Sequence, residues 1–139
     1  MKTHILLIIT LMCWGITPII EKIGLRTATP FAGVTIRSAA ITIGLLIMTF
    51  VTGRTKEVFG ASMRDVLTFS LSGCLAGLIA MIAYFEVLKD GETSSVVPIT
   101  ASYPLVTALL SYFILSEGFS VPKLVGTVLI VSGVYLVKV

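Results

Sequence analysis

Five apolar stretches, each long enough to cross a bilayer as a helix, occupy nearly the whole chain. They lie at about residues 4–22, 30–52, 66–88, 94–115 and 121–138, separated by short segments rich in Gly, Pro and charge. A helix needs roughly 20 apolar residues to traverse about 30 Å of hydrocarbon. A chain of 139 residues filled in this way has no room for a soluble catalytic domain. Inside hydrocarbon every backbone N–H and C=O must be paired within the protein, which leaves helices or closed barrels. The alternating segments of roughly ten residues that a barrel requires are absent, so the pattern predicts an all-α integral membrane protein of five transmembrane helices. Composition agrees. Hydrophobic residues make up 56% and charged residues 12%, against about 45–50% and about 25% in ordinary soluble domains, and a mean hydropathy of +1.07 excludes a water-soluble monomer.

The breaks between the stretches have local causes. Thr29-Pro30 and Val121-Pro122 suit helix starts, where the N–H that proline lacks is not needed, and Asp90-Gly91 is turn chemistry. Ser116, Glu117 and Gly118 make a tight connection, and residues 54–64 form the only longer loop. The first stretch follows Lys2 as a secretory leader would. Glu21, Lys22 and Ile23 then stand where a small-residue cleavage site is needed, so it is read as a retained span.

The net charge of +3 comes from basic residues scattered around the spans, which implies topology signals and no nucleic-acid partner. An odd number of spans puts the termini on opposite faces. One face then carries Lys2, Arg54, Lys56, Arg64 and Lys123; the other carries Lys22, Arg26, Lys89 and Lys138, joined by Arg37 if that residue snorkels. Five against four is so nearly balanced that the chain could insert both ways, while a small residual bias would place residues 54–64 in the cytoplasm. Cys13 and Cys74 lie within apolar stretches and read as free thiols.

Charges inside a bilayer ask for a partner or a function. Arg37 is the deepest, roughly 10 Å along the second span when counted from Pro30 at about 1.5 Å per residue. It reads as a binder of an anionic group, as the partner of a carboxylate, or as an arginine that snorkels to the nearer interface. Glu21 and Glu86 lie on the face where the second span begins, and either one could pair with Arg37 or carry a proton. Both also read as ordinary interfacial carboxylates, and Glu117 on the opposite face needs only a loop-bracing role.

Pro18 lies inside the first span beside Trp14-Gly15, and Pro98 and Pro104 flank Thr100, Ser102 and Tyr103 in the fourth. Proline within a spanning helix frees a carbonyl, which is tolerated against protein or a water-filled cavity. These kinks therefore point to cavity-lining helices, although proline is common in membrane helices generally. The small-residue face of the third span, with Gly73 and Gly77, and the Gly126 and Gly133 pair in the fifth allow close helix packing, within or between subunits.

His4 is the only histidine, no residues stand at metal-ligand spacing, and no phosphate-cradling loop is present. No metal, cofactor or ATP requirement is implied. No nucleophile and base converge, so an enzyme is not expected and no catalytic residue is assigned. No span carries a carboxylate at its middle, which gives proton coupling through a central carboxylate no support.

From Trp14-Gly15 onward the chain resembles one repeat of the EamA-type drug/metabolite transporter superfamily. Tyr84-Phe85-Glu86-Val87-Leu88-Lys89 is similar to the aromatic-rich end of the family's third helix, and Val97-Pro98-Ile99 with Tyr103-Pro104-Leu105 is similar to its fourth. Leu115-Ser116-Glu117 stands where the family has a Leu-Gly-Glu turn, and Gly126 to Gly133 resembles its Gly-rich last helix. Arg37, in Val34-Thr35-Ile36-Arg37, corresponds to the arginine the family usually has early in helix two. Larger members join two inverted five-helix halves around a central cavity, so the resemblance implies one half, a single domain over residues 1–139. It also implies an antiparallel homodimer, or pairing with a second five-helix chain. The related small multidrug-resistance proteins carry a central glutamate in the first helix, where this chain has Leu11-Met12-Cys13-Trp14-Gly15-Ile16, a departure that argues against proton/cationic-drug exchange.

The expectation that follows is a secondary transporter, an exporter of a small-molecule metabolite by alternating access, in contact with membrane lipid in a prokaryotic plasma membrane. Trp14, Tyr84, Thr100 and Tyr103 would contact substrate, and Arg37 with Glu21 or Glu86 would form an intramembrane ion pair. Two other readings stand beside it. One is a flippase of a lipid or lipid-linked sugar, with Lys22, Arg26 and Arg37 at headgroup depth; the other is a subunit that acts only with a partner chain.

Overall fold

A computed structural model describes residues 2–116, Gly118 and residues 120–138. Among these the regular structure is entirely helical, in the order α1 (Lys2–Gly24), α2 (Pro30–Val51), α3 (Thr55–Phe59), α4 (Met63–Ser72), a π-helical segment (Gly73–Ile79), α5 (Ala80–Asp90), α6 (Thr93–Thr100), α7 (Pro104–Ile114) and α8 (Val121–Lys138). Lys2–Gly24, Pro30–Val51, Met63–Asp90 and Thr93–Ile114 are each long and apolar enough to cross a membrane. With the shorter apolar helix α8 they make the five spanning segments of an all-α integral membrane protein. The chain divides into two compact units, Met1–Asp90 and Gly91–Val139.

The helix ends follow from side-chain chemistry. Thr29 caps α2, its Oγ1 accepting from the Ala32 N–H at 3.2 Å, and Pro30 occupies the first turn. At the other end Gly53, with φ of 70°, closes α2 with the paired bonds of a left-handed C-terminal cap, Arg54 N–H to Thr49 O and Gly53 N–H to Phe50 O. Ser62 caps α4, accepting from the Asp65 N–H and donating to Asp65 Oδ2. That cap starts the third span at Met63, three residues before the apolar run begins, and the expected loop at 54–64 contains the short helix α3.

Two spans are not uniform α-helix. Within the third, Gly73–Ile79 widens into a π-helical turn over the segment richest in small residues. The fourth, expected as one helix over 94–115, breaks at 101–103. Pro104 has no N–H to donate to Thr100 O, which accepts instead from the Tyr103 N–H at 3.3 Å. Pro104 therefore starts α7 and does not kink a continuous helix from within, whereas Pro98 does lie inside α6. In the second unit α6 packs on α8.

In the first unit α2 packs chiefly on α5, with α1 touching α5. Its buried residues are Pro18, Leu25, Pro30, Val34, Phe85 and Leu88, drawn from around the end of α1, the start of α2 and the end of α5. Gly33 is what allows this closure. A Cβ there would fall 3.0 Å from Phe85 Cε2, tighter than ordinary packing, and 3.7 Å from Leu25 Cδ2, so the bare glycine lets the Phe85 ring settle on the α2 backbone without giving way. Elsewhere long apolar side chains such as Leu11, Phe69 and Phe113 stand exposed. In water that surface would drive aggregation; in a bilayer acyl chains cover it.

Candidate functional site

The end of the first unit that holds its core also holds Glu21, Lys22 and Arg37. Glu21 and Lys22 are neighbours on α1, separated by about 100° around the helix axis, and they reach different elements. Glu21 meets α2, where its Oε1 lies 3.3 Å from Arg37 Nε, with the two side chains 10% and 38% exposed respectively. Oε1 accepts no hydrogen bond, so this is a charge contact and not a hydrogen-bonded bridge. Lys22 reaches α5, where its Nζ donates to Leu88 O at 2.7 Å and Lys89 O at 2.8 Å. Those carbonyls belong to the last turn of α5, which has no intrahelical donors left, and the negative end of the helix dipole favours a cation there.

Lys22 thus caps the third span from the first, beyond the topology or headgroup role that the sequence suggests. Neither Gly33 nor this cap has a sequence signal. A backbone carbonyl acceptor is invisible in the sequence, and Gly33 is one of many span glycines. Tyr84, half-buried on α5, interacts electrostatically with Glu21. Glu86 is exposed and makes no ion pair among the described residues, so of the two carboxylates considered for Arg37 the structure brings Glu21.

The residues expected to contact substrate divide between the units. Trp14 is two-thirds exposed on α1, and Tyr84 stands on α5. In the second unit Tyr103 is exposed in the break before α7, and Thr100 closes α6. The Thr100 hydroxyl donates to Val96 O and Val97 O, and the Ser102 hydroxyl to Ile99 O. The Thr100 proton is thus engaged by backbone carbonyls of its own helix, so Thr100 offers a ligand its oxygen lone pairs. In α1 Thr17 donates likewise to Cys13 O beside Pro18, a bond that favours bending. Gly73, Gly77, Gly126 and Gly133 have open space where a Cβ would stand, so no described helix of this chain packs tightly there. No three His, Cys, Asp or Glu side chains gather as a metal site among the described residues.

A profile of the EamA-like transporter family matches residues 1–139. The chain belongs to the EamA-like transporter family. It is 25% identical over 97 residues to an uncharacterized protein of Methanocaldococcus jannaschii, covering 70% of each chain. It is also 25% identical over 126 residues to an uncharacterized transporter of Archaeoglobus fulgidus, covering 91% of this chain and 44% of that one. The chain therefore spans less than half the length of that transporter. No solved structure matches it significantly.

As an EamA-like chain this is an integral membrane protein of a family whose members are transporters. In the connection after α7, Ser116 takes φ of 54°. That left-handed conformation is free for glycine and costs a side-chain-bearing residue roughly 1–2 kcal/mol. Glu117, expected to brace this turn, lies outside the described residues.

Proposed function

We propose that this EamA-like chain is one half of a transporter. Two copies inserted in opposite directions form the working unit, a secondary transporter that exports a small metabolite by alternating access across a prokaryotic plasma membrane. The observation that carries the reading is the family match over residues 1–139. The near balance of Lys and Arg between the two faces supports dual insertion. The glycine faces on the third and fifth spans, open within the chain, give a second copy places to pack.

In this mechanism the charged end of the first unit is a fixed point. Lys22 ties α1 to α5, Glu21 meets Arg37 on α2, and Phe85 locks over Gly33. Compliance sits elsewhere, at the π-helical turn and at the break at 101–103, where backbone hydrogen bonding is already irregular or incomplete. Helices bent at such points can rock while one end stays anchored. Trp14, Tyr84 and Tyr103 offer the substrate aromatic faces and donors, and Thr100 offers an acceptor. The chain acts without a cofactor and is not an enzyme.

Purified protein reconstituted into liposomes preloaded with a defined mixture of amino acids, nucleosides and organic acids is expected to release a small subset of them. Tyr103→Ala should slow that release about three- to tenfold, the loss expected from one aromatic contact. Retention of every compound at the level of protein-free liposomes contradicts the transporter reading.

A further inference from the structure

We propose that Arg37 is an anion-binding residue within the membrane, taking a carboxylate or phosphate group on guanidinium donors that the protein leaves unused. The proposal rests on the transporter reading only in calling that anion a substrate; the binding itself is independent of flux.

Three observations carry it. The first is what Arg37 lacks. A guanidinium has five N–H donors in a fixed planar fork, yet Arg37 donates no hydrogen bond to any described residue, and its charge contact is the one to Glu21 at 3.3 Å. The second is position. Arg37 stands on α2, roughly 10 Å along the helix from Pro30 at about 1.5 Å per residue, where donors without acceptors are expensive and call for an explanation. The third is access. The Arg37 side chain is 38% exposed, whereas Glu21 is 10% exposed, so an incoming group reaches the cation and not the carboxylate behind it.

The contact geometry leaves room for a ligand. Glu21 approaches Arg37 at Nε, along one side edge of the fork. The end edge, formed by the two terminal nitrogens, is the one that takes carboxylate or phosphate in a two-pronged bond. Glu21 then has two opposing effects. Its contact at Nε orients the guanidinium, and its charge repels an anion bound at the far edge, which keeps the affinity modest and the anion releasable. Removing that charge should therefore strengthen binding, an effect a purely structural ion pair would not produce.

The anion could come from water or from a lipid headgroup, and the test separates the two. Full-length protein in dodecyl maltoside micelles, which carry no phosphate, is titrated with sodium phosphate at matched ionic strength while the thermal unfolding midpoint is followed. Parallel samples receive phosphatidylglycerol. The expected result is a saturable rise in midpoint for the wild type and none for Arg37→Gln. Arg37→Lys, which keeps the charge and the fold but loses the fork, should bind about tenfold more weakly. Glu21→Gln should bind several-fold more tightly.

A response to phosphate that phosphatidylglycerol does not compete away assigns a soluble anion. A response to phosphatidylglycerol alone assigns a headgroup. Equal responses in the wild type and both Arg37 variants, or no response to either probe, overturn the proposal and leave Arg37 as a snorkelling side chain. Because no transport is measured, such a negative result does not bear on release from preloaded liposomes, and failure of release does not bear on this binding.

Discussion

Replacing Phe85 with alanine is expected to destabilise the folded protein by about 2–3 kcal/mol. Phe85 is 3% exposed, and its ring edge lies over Gly33, with Leu25 alongside. In a membrane little of its contribution comes from escape from water, because the unfolded reference is also surrounded by hydrocarbon. What remains is the cavity. Gly33 has no side chain to collapse into it, so the packing loss should persist nearly in full. Phe69→Ala is the control: Phe69 is 75% exposed, acyl chains replace what is removed, and the loss should stay under about 1 kcal/mol. Reversible unfolding in mixed micelles titrated with dodecyl sulfate measures both, and equal losses would mean that Phe85 does not hold α5 on α2.

The second large effect concerns the ion pair. Arg37→Ala leaves the Glu21 carboxylate, 10% exposed, without its counter-charge, at an expected loss of about 3 kcal/mol in the same titration. Neutralising both partners removes that penalty. The double variant Arg37→Ala/Glu21→Gln should therefore recover about 1–2 kcal/mol relative to Arg37→Ala alone. Lys123→Ala, at the start of α8, should change stability by no more than about 0.5 kcal/mol. If Arg37→Ala proved as silent as Lys123→Ala, the charge contact would contribute nothing to the fold.

The sequence constrained these features to different depths. The spans were legible because hydrocarbon admits few alternatives, and Thr29-Pro30 marked a helix start that the side-chain cap and the proline produce together. The break in the fourth span was half legible. Pro98 and Pro104 are visible, but its position at 101–103 depends on which carbonyl finds a substitute donor, a property of the folded turn. The π-helical turn was hidden because a run of Gly, Ala and Leu is also ordinary α-helix sequence. Arg37 could be matched to two carboxylates because both end spans on the face where α2 begins. The choice between them depends on rotation about each helix axis, and apolar spans with lipid on most sides show no clear amphipathic face to fix it. The Lys22 cap and the Gly33 seat involve backbone atoms, which carry no residue-specific signal.

The central claim, that this EamA-like chain is a half-transporter that pairs with an inverted copy of itself, is tested most directly by its orientation in native membranes. With Cys13→Ser and Cys74→Ala removing the native thiols, Thr55→Cys places one reactive site at the start of α3, between the second and third spans. A membrane-impermeant thiol reagent is then applied from each side in turn. Labelling from both sides in comparable amounts is the predicted result; labelling from one side alone would contradict the antiparallel homodimer.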